Sequence, residues 1–182
     1  PIKANSSHIH FAFITGITKF SQLSIFSTIN NLTNISMDPE FSTICGITKD
    51  ELDTILKEDI ALLASKNHVS FERMRELLRE NYDGYHFSRE GEDIFNPYSL
   101  MRSFAAGFID NYWYASGTST YLIHQMQHFH TDVTTLDDMF AFSSSFDRPT
   151  EKMSDALPLL YQSGYLTIKK YDPLSNGYYL GI

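Results

Sequence analysis

Residues 8–19 read His8-Ile-His-Phe-Ala-Phe-Ile-Thr-Gly-Ile-Thr-Lys19, "HIHFAFITGITK". Ile9, Phe11 and Phe13 alternate with His10, Ala12 and Ile14, so both faces of an extended chain would be largely apolar. That pattern predicts a strand buried in a sheet covered on both sides. The run ends at Thr15-Gly16, and the end of a central strand is where open α/β sheets present their sites. The tetrapeptide Gly-Ile-Thr-Lys recurs at Gly46 to Lys49, in "STICGITKDELD". A phosphate-cradling Walker A loop needs G-x-x-x-x-G-K-[ST], so that amides, ammonium and hydroxyl converge on one anion. In both copies the lysine follows the threonine, and no second glycine has the required spacing. Neither copy is a P-loop. In the second, Thr48 and Glu51 form an S/T-x-x-E capping box, which predicts a helix start. In the first, Thr15, Gly16, Thr18 and Lys19 remain candidates for touching a phosphate that another segment cradles.

Outward from these two stretches the pattern turns mostly helical. Leu52, Ile55, Leu56, Ile60 and Leu63 fall on one face of a helix entered at Thr48. Phe71, Met74, Leu77 and Leu78 repeat the spacing from Ser70 onward. Asp83-Gly84 in "NYDGYHF" is a strong turn signal, and "YHFSREGEDIFNPY" predicts a hairpin turning at Arg89 to Glu92. Helices are predicted in "PYSLMRSFAAGFIDNYW", in "STYLIHQMQHF" and in "EKMSDALPLLYQSG", the last ending on Gly164. "YLTIKKYDPLSNGYYLGI" alternates around a Pro-Leu-Ser-Asn-Gly turn and predicts a second hairpin, with Tyr171, Tyr178 and Tyr179 expected at the surface. A helix followed by such a two-stranded wing is the tail of a winged-helix-like unit. Three parts are expected: 1–45 around the first strand, 46–96 as helices with the hairpin, and 97–182 as helices with the wing.

Fourteen Lys and Arg against twenty-two Asp and Glu give a formal charge of −8. Nucleic-acid affinity rests on basic groups at phosphates, so this balance disfavours that class. Cys45 is the single cysteine, which excludes an internal disulfide, and its apolar neighbours predict a packed thiol. No apolar run approaches the roughly 18–20 residues of a membrane span, and a cytoplasmic location is expected. Pro1 in place of methionine, and an end within "YYLGI", create the expectation of a piece of a longer chain.

His124, His128 and His130 form H-x3-H-x-H, with Asp132 close by. Two imidazoles four residues apart on a helix can share a zinc ion. No glutamate sits where a zincin places its base, and the expectation is an amphipathic surface without metal. Ser143 to Ser145 read as a loop, and no nucleophile–histidine–acid set assembles. No catalytic residue is assigned.

Five segments in order carry a family resemblance. "FAFITGITKFSQLSIFSTINNLTNISMDPEFSTICGITKDEL", "NYDGYHF", "FNPYSL", "NYWYASGTSTYLI" and "LLYQSGYLTIKKYD…YYLGI" together resemble the AAA-ATPase-like domain of bacterial proteins abundant in Bacteroidetes and Clostridia. In that family an N-terminal part supplies the P-loop and the acidic strand that binds metal, and this sequence contains neither. A PD-(D/E)XK nuclease-like domain often follows. The resemblance implies a mixed α/β, mainly helical fold: the edge of a P-loop-type core with its sensor strand, a helical lid with a hairpin, and a winged-helix-like end. It aligns Phe13 to Lys19 with the family's sensor segment, making Thr15 the sensor-like hydroxyl and Lys19 a charge near the terminal phosphate. Tyr82, Asp83, Gly84 and Tyr85 align with its Y-[ND]-G-Y lid motif. ATP and Mg would be bound only by a full-length parent, and this piece alone would be inactive. Its partners would be the missing P-loop part, the nuclease-like domain and a possible protein partner. The alternative is a nucleotide-independent module that docks protein or nucleic acid through its winged-helix-like end.

Overall fold

The computed structural model describes residues 7–16, 18–19, 33–113, 120–150 and 153–182. Seven α-helices and a three-stranded antiparallel sheet lie among them, so the fold is mixed α/β and mainly helical. α1 (Lys49–Thr54), α2 (Lys57–Lys66), α3 (Phe71–Tyr82) and α4 (Pro97–Ala106) come first. They are followed by α5 (Thr120–His128), β1 (Met139–Ala141), α6 (Ser143–Phe146), α7 (Leu157–Gln162), β2 (Thr167–Asp172) and β3 (Gly177–Gly181).

Helix α1 starts as its capping box demands. Thr48 accepts from the Glu51 amide at 3.2 Å, while Glu51 Oε2 accepts from the Thr48 amide at 2.8 Å. The single long helix predicted from Thr48 instead breaks after one and a half turns. The Thr54 hydroxyl donates back to the Asp50 carbonyl at 2.6 Å, a bond that loosens the last turn. The Leu56 amide then reaches the Glu51 carbonyl, five residues back, at 3.2 Å. Ile55, predicted to face inward, is left 71% exposed. α2 restarts at Lys57 and returns Ile60 and Leu63 to the core. α3 begins where Ser70 caps the Arg73 amide at 3.1 Å. Arg75 of α3 grips the Asp53 carboxylate of α1 through two nitrogens, which holds that carboxyl below its usual range.

α4 opens on the Asn96 cap with Pro97 in its first turn, and Gly107 ends it at φ +86°. Its Leu100 packs with Leu52, Ile60, Leu63, Met74, Leu78, Tyr82 and Phe95. α4 therefore shares a core with α1–α3, across the division expected near Asn96.

The C-terminal elements form two adjoining clusters. Leu122, Leu136, Ala156, Leu159, Leu160 and Leu166 make one, while Ala141, Phe146, Tyr161, Ile168, Tyr178 and Leu180 make the other. The sheet order is β1-β3-β2, with Phe140 opposite Tyr179, Tyr171 opposite Tyr178, and a register shift between Ile168 and Lys170. The β2–β3 hairpin matches the sequence expectation, but Tyr178 turns inward against Phe146 and is buried. β1 has no sequence signal beyond three residues, and the expected loop at Ser143 to Ser145 is the start of α6.

Three further expectations fail. Ile9 to Ile14 form no strand, and Phe11 and Phe13 are 83% and 51% exposed. The hairpin at Tyr85 to Ile94 is reduced to one bridge, in which each residue's amide donates to the other's carbonyl at 3.3 and 2.9 Å. Its intervening segment, rich in charge and closed by Gly91, offers no apolar face for a ladder to bury. Cys45 is exposed rather than packed. No helix among the described residues is long and apolar enough to cross a membrane.

Candidate functional site

The two Gly-Ile-Thr-Lys copies meet different surroundings. Around Gly46 the backbone runs against the buried Ile94 side chain: a Cβ on Gly46 would lie 2.0 Å from Ile94 Cδ1. Ile47 and Phe95 exchange both backbone hydrogen bonds, at 3.2 and 2.8 Å. This glycine serves close packing, and the threonine after it serves the helix cap. Around Gly16, among the described residues, the nearest atom to a Cβ would be the Thr18 carbonyl oxygen, at 3.6 Å. Thr15 and Gly16 are exposed, and Thr18 and Lys19 half-buried.

Lys19 is held by the C-terminal elements on three sides. Its Nζ lies 2.5 Å from Asp147 Oδ1, and the ammonium is shielded from solvent. Its amide donates to Gln162 Oε1 at 2.6 Å, and its carbonyl accepts from the Thr150 amide at 3.1 Å. Gln162 is fixed in turn, because its Nε2 donates to the carbonyls of Arg148 and Phe146 at 2.6 and 3.2 Å. Asp147 follows directly on α6, where its amide donates to the Ser143 carbonyl at 2.7 Å. Burial pushes its carboxyl above the usual range, and the Lys19 ammonium opposes that rise. Burial likewise drives the Tyr161 hydroxyl far up, with the Asp147 charge adding to it. On its other side Asp147 borders an open cleft of about 410 Å³, shared with Asn34, Met37, Asp38, Pro39, Arg89 and Tyr178.

The segment from Tyr82 to Tyr85 forms a second meeting point. The Tyr82 hydroxyl donates to the Asp110 carbonyl at 2.9 Å and accepts from the Asp110 amide at 3.1 Å. Asp83 Oδ1 accepts from the Gly84 amide at 2.8 Å, and burial raises its carboxyl. Gly84 takes φ +111°, which favours glycine at this turn. Tyr85 points toward the end of α7, where a Cβ on Gly164 would lie 3.2 Å from its ring. The next residue, His86, is locked to the sheet: its amide donates to Thr167 Oγ1 at 2.7 Å, and that hydroxyl donates to its carbonyl at 3.2 Å. The motif joins the α1–α4 core to the C-terminal elements.

His124, His128 and His130 are all exposed, and among the described residues no three His, Cys, Asp or Glu side chains gather as a metal site. His130 sits in a turn at φ +51°, past the end of α5.

The sequence reading missed Asp147, Gln162 and Thr167. Their partners lie 81 to 143 positions away for the hydrogen-bonded pairs, so no spacing rule reaches them. The one local sign is an aspartate beside the buried Phe146 in "SSSFDR".

Over 167 residues, 92% of its length, the chain is 30% identical to a curated protein of Azotobacter chroococcum mcd 1, named "Uncharacterized protein in vnfD 5'region". The chain spans 30% of that relative's length. No protein-family model and no solved structure matches it.

Proposed function

We propose that this chain is the C-terminal part of an AAA-ATPase-like module, comprising a sensor segment at Phe13 to Lys19, a lid built on α1–α4, and a winged-helix-like end. ATP and Mg bind only where a P-loop part joins it, and the module converts nucleotide state into movement of the lid. The observation that carries this reading is the apolar run Ile9 to Ile14. Its residues are patterned for the inside of a sheet, yet Phe11 is 83% exposed, which leaves the run uncovered among the described residues and free to be covered by the P-loop part. That run leads straight into Thr15 and Lys19, where a hydroxyl and an ammonium suit the charge that develops on a transferring phosphoryl group.

The C-terminal elements support the same reading. Their order is helix, strand, helix, helix and hairpin, with the first strand pairing the last, which is the order of a winged-helix unit. In such a unit the helix before the hairpin would enter a DNA groove. Here that helix is α7, and Pro158, Leu159, Leu160 and Tyr161 are all buried. This leaves α7 little face for reading bases. The alternative, a nucleotide-independent docking module, therefore favours a protein partner, received by the exposed Phe140, Phe142 and Leu174.

The test is ATP turnover by the longer protein that contains this chain. Thr15→Ala and Lys19→Ala are each expected to lower it by about 100–1,000-fold, the scale of losing one preorganised electrostatic contact. Wild-type turnover in both variants sinks the sensor assignment.

A further inference from the structure

We infer that Asp147 and Gln162 are positioning residues for Lys19, forming a clasp that ties the Gly16–Lys19 segment to the C-terminal unit and keeps its ammonium occupied. The clasp has two parts with different chemistry. The first is the ion pair, 2.5 Å long, between a shielded ammonium and a carboxylate whose side chain is 13% exposed. The second is a neutral fork: Gln162 takes the Lys19 amide on its oxygen and the Arg148 and Phe146 carbonyls on its nitrogen. One side chain thereby fastens the segment to the turn that carries Asp147, so the two parts hold the same geometry.

Exclusivity follows from the charges. Lys19 has one ammonium, and the carboxylate against it is poorly solvated, so an anion that takes the ammonium must leave Asp147 charged, part-buried and without its counter-ion. Docking of the segment and engagement of an anion by Lys19 are then linked, each weakening the other by the same factor. This linkage rests on the sensor reading above; the clasp itself does not. The groups facing Asp147 are Lys19, Tyr161 and Tyr178, with Arg89 and Asp38 across the cleft. The two tyrosines are pushed up and stay neutral across the acid range. Asp38 meets the Glu40 amide at 3.0 Å. Among the described residues Asp147 is the carboxyl in direct contact with Lys19; burial raises it, and its protonation opens the ion pair.

Nuclear magnetic resonance on the 182-residue chain tests this without any nucleotide. The protection factor of the Lys19 amide is expected to be high at neutral pH. It should fall severalfold on acidification, through a titration above the ordinary carboxylate range and matched by the Asp147 carboxyl signal. Asp147→Asn should abolish that pH step, and Gln162→Leu should abolish protection while the Lys19 side-chain signals still follow Asp147. The wild-type titration needs no variant, so the inference stays open to refutation even if a substitution fails to fold. A Lys19 amide that exchanges as an unprotected amide at neutral pH, or a protection factor indifferent to Asp147, overturns the clasp. An intact clasp together with unchanged ATP turnover in Lys19→Ala of the longer protein overturns the sensor reading and leaves the clasp standing.

Discussion

Gly16 and Gly46 begin the same four letters, and the difference between them is steric. A methyl group at Gly46 would fall 2.0, 2.6 and 2.7 Å from three carbons of Ile94, a side chain 1% exposed and hemmed in by the core. Real side chains do not approach so closely, so Gly46→Ala must push Ile94 or the Ile47–Phe95 bridge aside. Overpacking of this kind costs about 1–3 kcal/mol. Among the described residues Gly16→Ala meets an ordinary contact at 3.6 Å, and it is expected to change stability by less than about 0.5 kcal/mol. Urea denaturation of both variants checks the contrast; equal losses, or the reverse order, would show that the first copy is the crowded one. Lys19 and Lys49 divide in the same way. Lys49 opens α1 at the surface, while Lys19 is drawn into an ion pair with a carboxyl 128 positions further on.

Among the elements, those with short-range chemistry were legible in the sequence. The capping box before α1, the serine before α3, the Asn96-Pro97 start of α4 and the β2–β3 hairpin all satisfy their own orphan amides and carbonyls within a few residues, whereas α4, predicted to run through Trp113, stops at Gly107. Elements stabilised at a distance were not. β1 is three residues long and exists because β3 offers it an edge; the Ile9–Ile14 run has strand composition and finds no edge among the described residues. The helix break at Ile55 was hidden because an apolar stripe continues through it, while the Thr54 hydroxyl competes for the backbone. Of the candidate site, Lys19 and the Tyr82–Tyr85 turn were visible as motifs, but Asp147 and Gln162, which give Lys19 its environment, were not. The cap is the clearest test at this scale. α1 has six residues, and Thr48→Ala removes the acceptor of its Glu51 amide. A loss of about 0.5–2 kcal/mol is expected in urea denaturation. The Thr48 amide and hydroxyl hold the Glu51 carboxyl below its ordinary range, so the cap's contribution is complete above that range and fades as pH falls through the lowered value. A Thr48→Ala deficit that persists unchanged in strong acid would show that the carboxylate takes no part.

For the whole molecule, the decisive feature is how the α1–α4 core joins the C-terminal unit. Leu52 to Leu100 form one cluster, and the sheet with α5–α7 encloses its own. Between them, among the described residues, stand the Tyr85 ring beside Gly164, the His86 backbone on Thr167, Trp113 against Tyr165 and Arg89 over the Tyr171 ring. Thr167 is 8% exposed, and its single hydroxyl both accepts from and donates to His86. Under the lid reading proposed above, the bonds of this junction are the ones that must open when the lid moves. Thr167→Val keeps the shape and β-branching but leaves the amide and carbonyl of His86 without that partner. Stranding such groups costs about 1–3 kcal/mol. The loss should fall on the junction before it reaches either core. Trp113, the single tryptophan, packs tilted against Tyr165 with ring centroids 4.8 Å apart and lies 3.5 Å from where a Gly164 Cβ would stand, so its fluorescence reports this region. In Thr167→Val the fluorescence transition in urea is expected at a lower concentration than the loss of helical circular dichroism, whereas the two coincide in the wild type. Coincident transitions in the variant, or a stability unchanged within about 0.5 kcal/mol, would mean that the two units are held by more than this one hydroxyl and its neighbours, and that the lid does not hinge there.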